Sequence, residues 1–342
     1  MYPVHVRYVV EEPEGPADAV RIAASTLSDP VNAAILAGGV LATLAVAISY
    51  LRVRPFERDL TALRLTLGSY HDLLPWLLRI SLGMPLIGAG FRGYYFSPAV
   101  GVEARILLVS AGFLLLFGLA TRVVAGLALL GYLIAIPSNP DILLANEYVG
   151  GLLAIVLLGS GRPSADHVFD RIASTPGTTY GRIDPVGEVA ERFRERVDPL
   201  RAYLPTLVRV TLGINFLFLG VSQKLLQPAW AIAVVEKYGL TAVVPVDPAL
   251  WVIGAGLAEA AVGVALLAGL FTRAASGVAF GLFTTTLFAL PDDPVLAHLS
   301  LFGLVSVLIV TGGGPLSLDR RLFETETGDG ITRDRERASR AD

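Results

Sequence analysis

From residue 31 onward the chain alternates long apolar runs with short polar breaks. Val31 to Leu51 is 21 consecutive residues without a charge. At about 1.5 Å per residue, a helix of that length crosses a hydrocarbon core roughly 30 Å thick. Runs of the same kind lie near 74–91, 104–120, 122–137 and 143–160, and again near 204–222, 249–271, 273–290 and 295–311. One leading helix plus two sets of four predicts nine transmembrane spans and an all-α integral membrane fold.

The two sets carry the same punctuation. Pro75-Trp76-Leu77-Leu78-Arg79-Ile80-Ser81-Leu82-Gly83 is matched 130 positions later by Pro205-Thr206-Leu207-Val208-Arg209-Val210-Thr211-Leu212-Gly213. Further on the offset is 151, where Gly118-Leu119-Ala120-Thr121-Arg122 meets Gly269-Leu270-Phe271-Thr272-Arg273. Each set closes on small residues and a Ser-x-Asp, Ser164-Ala165-Asp166 and Ser317-Leu318-Asp319. Several matches in one order point to a duplicated folding unit. The expectation is two tandem four-helix bundles related by a pseudo-twofold along the membrane normal, with the 31–51 helix at their side. The chain then divides into an acidic extracytoplasmic tail (1–30), a single transmembrane helix (31–51) and a cytoplasmic or interfacial segment (52–72). The first four-helix unit (73–170), a charged cytoplasmic linker (171–202), the second unit (203–323) and a disordered cytoplasmic tail (324–342) follow.

Composition agrees with burial in lipid. Hydrophobic residues make up 54% of the chain and charged residues 17%, against about 25% charged in a soluble domain, and mean hydropathy is +0.62. Nothing before the first span has the basic-then-apolar layout of a signal peptide. With the N-terminus outside, 19 of the 27 Lys and Arg residues fall in cytoplasmic segments and 6 outside. That bias orients the chain N-out and C-in in the cell membrane. Net charge is only −3, and the basic residues are interleaved with acids, as in Glu191-Arg192-Phe193-Arg194-Glu195-Arg196. This excludes a nucleic-acid surface and makes the lipid bilayer the first partner.

The chain has no cysteine, four histidines and two methionines. Thiol chemistry and Fe–S ligation are excluded, a haem between two histidines at depth lacks its second ligand, and a soft copper site lacks thioethers. No Gly-rich phosphate loop joins a strand to a helix. Any redox role has to use a mobile carrier such as quinone, or a cofactor on a partner, with none held covalently or through a metal here.

Ionisable residues at membrane depth are what remains, because a charge there costs about 2.5–3.5 kcal/mol or more unless it is paired or hydrated. Glu259 stands near mid-span with nothing polar on its own helix, so it must be protonated or face a cationic or hydrogen-bonding partner. Asn215 on the preceding span is the expected neighbour, and a plain polar clamp between helices is the alternative. Lys224 and His298 open on the outer side of the same bundle and Glu236 lies in the connecting segment. The candidate catalytic set is therefore Glu259, Lys224 and His298, with Asn215, Glu236 and Arg209 as candidate ligand contacts. Pro228 to Leu240 reads as an interfacial amphipathic helix over that mouth. Arg79 and Arg209 at helix starts, and Arg122 and Arg273 at hairpins, are explained by topology and by pairing with helix C-terminal carbonyls or with Asp166 and Asp319.

The order Arg209-x-x-x-Gly213, Gly220, Lys224, Glu259, Gly269-Leu270-Phe271-Thr272-Arg273, His298 and Gly314-Pro315-Leu316-Ser317-Leu318-Asp319 resembles the DoxX/DoxD family of small four-helix membrane proteins. The resemblance implies a membrane subunit linked to redox metabolism, with its DoxD branch associated with thiosulfate oxidation coupled to quinone reduction, and a soluble or membrane oxidoreductase as partner. A non-enzymatic scaffold or a small-molecule permease is the competing reading, although parallel repeats differ from the inverted repeats of many transporters. In register, Tyr94 replaces Lys224, Leu108 replaces Glu259 and Glu147 replaces His298. The first unit is then either a packing partner or has a different ligand at Arg92, Tyr94, Tyr95 and Glu147.

Overall fold

The computed structural model describes residues 19–183, 187–290 and 295–324. The expected tails at 1–18 and 325–342 lie outside the described residues. Among the described residues, the regular elements are all helical apart from one two-stranded ribbon.

The chain enters through α1 (Ala19–Ser28), so the last part of the expected N-terminal tail is helical. It continues into α2 (Pro30–Val53), whose start is set by Pro30 in its first turn and by the Asp29 carboxylate, which accepts from Val31 N at 2.8 Å. Such an N-cap satisfies a backbone donor that the helix itself leaves open. No residue of α2 is buried. Next come α3 (Glu57–Gly68), α4 (Leu74–Arg92), the ribbon of β1 (Tyr94–Tyr95) and β2 (Ser97–Gly101), α5 (Arg105–Phe117), α6 (Thr121–Ala135) and α7 (Glu147–Leu158). The linker folds as α8 (Ala165–Ala173), α9 (Thr179–Ile183) and α10 (Gly187–Val197). The rest is α11 (Leu204–Leu217), which runs into a π-helical turn (Phe218–Leu225), then α12 (Pro228–Lys237), α13 (Pro248–Ala268), α14 (Thr272–Ala289) and α15 (Val295–Thr311).

Among the described residues, four helical stretches are long and apolar enough to cross a membrane: Pro30–Val53, His71–Arg92, Val189–Leu225 and Pro248–Ala268. The helices α5, α6 and α7 are apolar but shorter than the runs read from sequence, and α15 keeps its expected bounds at 17 residues. The 13 residues of α5 reach only about 20 Å. In the first unit the shortfall has a local cause. Gly93 in the left-handed region ends α4, and the ribbon that follows lies against a 3₁₀ segment, Pro140–Ala145. Phe96 of this cap meets Tyr132 and Tyr148 edge-on at 5.2 and 4.9 Å.

Glycine sets the packing of each first helix on its second. A Cβ at Gly83 would lie 2.8 Å from the Gly112 carbonyl oxygen, and one at Gly213 would lie 3.0 Å from that of Gly263. Small residues let the backbones touch, which is how helices gain van der Waals contact where lipid removes any hydrophobic preference.

The hairpin ends of the helices are tied by matching arginine and aspartate caps. Arg79 donates to the carbonyls of Leu115, Leu116, Ser160 and Pro163, and Arg209 to those of Leu266, Leu267, Gly313 and Leu316. Arg122 reaches Val156 and Leu157, and Arg273 reaches Ile309 and Val310. The Asp166 carboxylate accepts from Ala120 N and Thr121 N, and that of Asp319 from Phe271 N and Thr272 N. Both kinds of contact satisfy groups that helix ends leave open, with the charge signs the helix dipole favours.

The units do not stand as two bundles side by side. Helix α4 packs on α15 and α11 on α7, so the first helix of each unit leans on the last helix of the other. Leu78, Leu82, Leu152, Val208, Leu212 and Leu304 belong to one continuous core. The crossings are again made by missing side chains: a Cβ at Gly150 would sit 2.0 Å from Thr211 Oγ1, and one at Gly303 would sit 2.1 Å from Ser81 Cβ.

Candidate functional site

The site grows from the π-helical turn at the end of α11. Gly220 lies so close to α13 that a Cβ would come within 2.5 Å of the Gly256 carbonyl oxygen and 3.1 Å of Glu259 Cβ. The π turn includes this contact and carries Gln223 and Lys224, both of which line one cleft. Turns of this kind are rare and recur at functional positions.

Lys224 Nζ stands 2.7 Å from Glu259 Oε2 and 2.8 Å from Oε1. Both side chains are mostly buried, at 21% and 17% exposure. The cationic partner that the mid-span position of Glu259 demands is therefore Lys224. Their mutual attraction offsets part of the cost of removing two charges from water.

Asn215 does not face Glu259. Its Nδ2 donates to Glu147 Oε2 at 3.0 Å, and Ser300 Oγ donates to Glu147 Oε1 at 3.2 Å. All three are buried at the meeting of the two units. The fourth-helix register is corrected by the same geometry. The caps on Ser160 and Gly313 and the crossings at Gly150 and Gly303 are both offset by 153, which places Glu147 opposite Ser300 rather than opposite His298.

The other candidates separate. His298 is buried on α15 and lines the same cleft as Lys224 and Glu259. Glu236 is exposed in the last turn of α12 and is not brought to the pair. The Arg209 guanidinium is already occupied by four backbone carbonyls, which removes it as a ligand contact. Helix α12 packs on α13, burying Ala231 and Val235 against Val252 and Trp251. In the first unit Tyr95 stacks edge-on against Phe96 at 4.8 Å, and burial raises the phenol pKa of both Tyr94 and Tyr95 above its ordinary value.

Sequence reading missed Gln223. It is 1% exposed, its Nε2 has no hydrogen-bond partner, and it lines the cleft beside Lys224. A buried donor without a partner costs about 1–3 kcal/mol. The available signal was the polar run Ser222-Gln223-Lys224 at the end of an apolar helix.

These groups open on a cleft of about 2110 Å³ between α2 on one side and α13 and α14 on the other. Its lining extends from Val243 and Val246 to Asp319, Arg320 and Phe323. At the Phe323 end, Tyr50 of α2 meets Phe271 edge-on at 5.5 Å, and Arg54 donates to the Leu322 carbonyl at 3.2 Å and lies over the Phe323 ring. At the start of α2, α1 packs on α12 and α13.

Chemically, the cleft joins apolar walls to a cluster of the Lys224 ammonium, the Glu259 carboxylate, the Gln223 amide and the His298 imidazole, with Asp319 and Arg320 at its far end. That set can bind a neutral head with hydrogen-bond acceptors and exchange protons with it. Among the described residues no cluster of His, Asp and Glu could hold a metal ion.

Residues 204–299 match the DoxX family model, a stretch that includes Gln223, Lys224, Glu259 and His298. No curated protein and no solved structure matches the chain.

Proposed function

For a membrane protein that carries a DoxX domain, we propose the role of membrane subunit that binds the head of a membrane-dissolved quinone and works with an oxidoreductase partner, soluble or membrane-bound. The observation that carries this reading is the Lys224–Glu259 ion pair on the wall of an apolar cleft, beside the unpartnered Gln223 Nε2. A quinone head offers carbonyl oxygens, which accept hydrogen bonds from an ammonium and an amide. Reduction to quinol takes up two electrons and two protons. The partner supplies the electrons, while Lys224 and Glu259 keep proton-exchanging groups at the carbonyl. The test is titration of the purified protein with a fluorescent quinol analogue. Saturable binding that Lys224→Met weakens is expected. No saturable binding would leave the scaffold or permease reading in its place.

Two further elements belong to this reading. The chain is a tandem pair of DoxX-like units, supported by the paired arginine and aspartate caps and by the paired glycine contacts. It sits in the cell membrane with its N-terminus outside, supported by the 19 to 6 distribution of basic residues and the positive-inside rule. Protease added to sealed, right-side-out cells should leave the 171–201 linker intact, and cleavage there would invert the orientation.

A further inference from the structure

The long N-terminal helix lies outside the DoxX match, yet it forms one whole wall of the cleft. Leu36, Gly39, Thr43, Ala47 and Tyr50, with Val40 and Leu44 beside them, line the cleft from one broad side of α2. That spacing of three or four residues is one helix face. Opposite stand Ala258, Ala261 and Ala265 of α13 and Ala274 and Gly277 of α14, set among larger apolar residues such as Val262 and Leu282. A Cβ at Gly39 or at Gly277 would meet nothing within 4 Å. The helix is held at its two ends, by α1 and by the Tyr50 and Arg54 contacts, and stands off between them. From Glu259 to the end of α13 the cleft continues for roughly 14 Å at 1.5 Å per residue.

We propose that α2 encloses a chamber for the long apolar tail of the ligand whose head meets Gln223, Lys224 and Glu259, so that this chain selects a single-tailed amphiphile over a bare head. The tail runs inward from Glu259, between Gly39 and Thr43 on one side and Ala261, Ala265 and Gly277 on the other. This rests on the quinone reading for the identity of the head only. The tail assignment comes from the shape of the cleft, its continuity with the polar cluster and the small residues on all three helices. A tail gains little hydrophobic free energy on moving from lipid into this channel, since both are apolar. What the channel supplies is van der Waals packing, so the discriminating readout is where the tail lies.

A quinone carrying a diazirine at the end of a dodecyl tail, and a dodecyl diazirine without the quinone, are photolysed with the full chain in lipid nanodiscs, and the adducts are mapped by mass spectrometry. The headed probe should label 36–50 and 261–278 saturably. Gly39→Trp, which fills the channel, should abolish that labelling. Gly38→Trp should not, because Gly38 also has open space around it but does not line the cleft. Equal labelling of the lipid-facing surfaces of α5 and α6, insensitive to Gly39→Trp, would overturn the chamber while leaving head binding to its own titration. Saturable, Trp-sensitive labelling by the headless probe at the same strength as the headed one would keep the chamber and sink the quinone head.

Discussion

Asn215 and Glu147 hydrogen-bond across the boundary between the two units, Nδ2 to Oε2 at 3.0 Å, with both side chains buried. The carboxyl is also held by Ser300 from the last helix, so one acid ties three helices. Asn215→Leu should lower stability by about 0.6–2 kcal/mol, the range for an interhelical hydrogen bond in lipid. Glu147→Leu combined with Asn215→Leu should cost less than the sum of the two, because the partner is then no longer stranded. Thermal unfolding of the four proteins of this cycle is the measurement, and strict additivity would mean the contact contributes nothing.

The Lys224–Glu259 pair has the opposite logic. Lys224→Met or Glu259→Leu alone should destabilise by about 3 kcal/mol, since each leaves an uncompensated buried charge, while the double change should return close to the parent stability. Binding of a quinol analogue should be lost in all three. Glu259→Gln should fold, because the amide keeps size and hydrogen bonding, yet lose any proton-coupled response. A well-folded double variant that binds as tightly as the parent would show the pair to be a clamp only.

Gly150→Ala should destabilise by about 1–3 kcal/mol through overpacking, since the added carbon would sit 2.0 Å from Thr211 Oγ1. Thr211→Ala in the same chain should recover most of the loss by removing that oxygen. Chemical denaturation in detergent compares the three variants, and a neutral Gly150→Ala would mean that the two units are less tightly apposed than described.

Asp319→Ala should cost about 1–2 kcal/mol by uncapping α14, because its carboxylate alone receives the N–H groups of Phe271 and Thr272 at 2.6 and 2.8 Å. Asp166→Ala should cost a similar amount at α6. Arg209→Lys should be poorly tolerated, since an ammonium with three donors cannot replace a planar fork reaching four carbonyls. Hydrogen exchange at the hairpin amides reads these changes locally. Protection unchanged at 271 and 272 in Asp319→Ala would remove the cap from the account.

The sequence by itself determined the membrane class, the positions of the helices, the arginine and aspartate punctuation of the hairpins and the demand of Glu259 for a partner. Each of these is local: a run of apolar residues, a glycine at a helix end, a charge at depth. The tertiary structure decided which groups meet. It gave Glu259 to Lys224, 35 residues earlier in the chain, and not to the expected Asn215, because Gly220, within the π turn, lets the end of this helix approach α13 closely enough for the two side chains to meet. The fusion of two units into one core, the buried Gln223 amide and the role of α2 as a cleft wall were likewise beyond sequence reading. A helix's apolar pattern reports that it is buried in something apolar, and in lipid nearly every face qualifies. The partner of each face is fixed by where two backbones can approach, which depends on residues far apart in the chain.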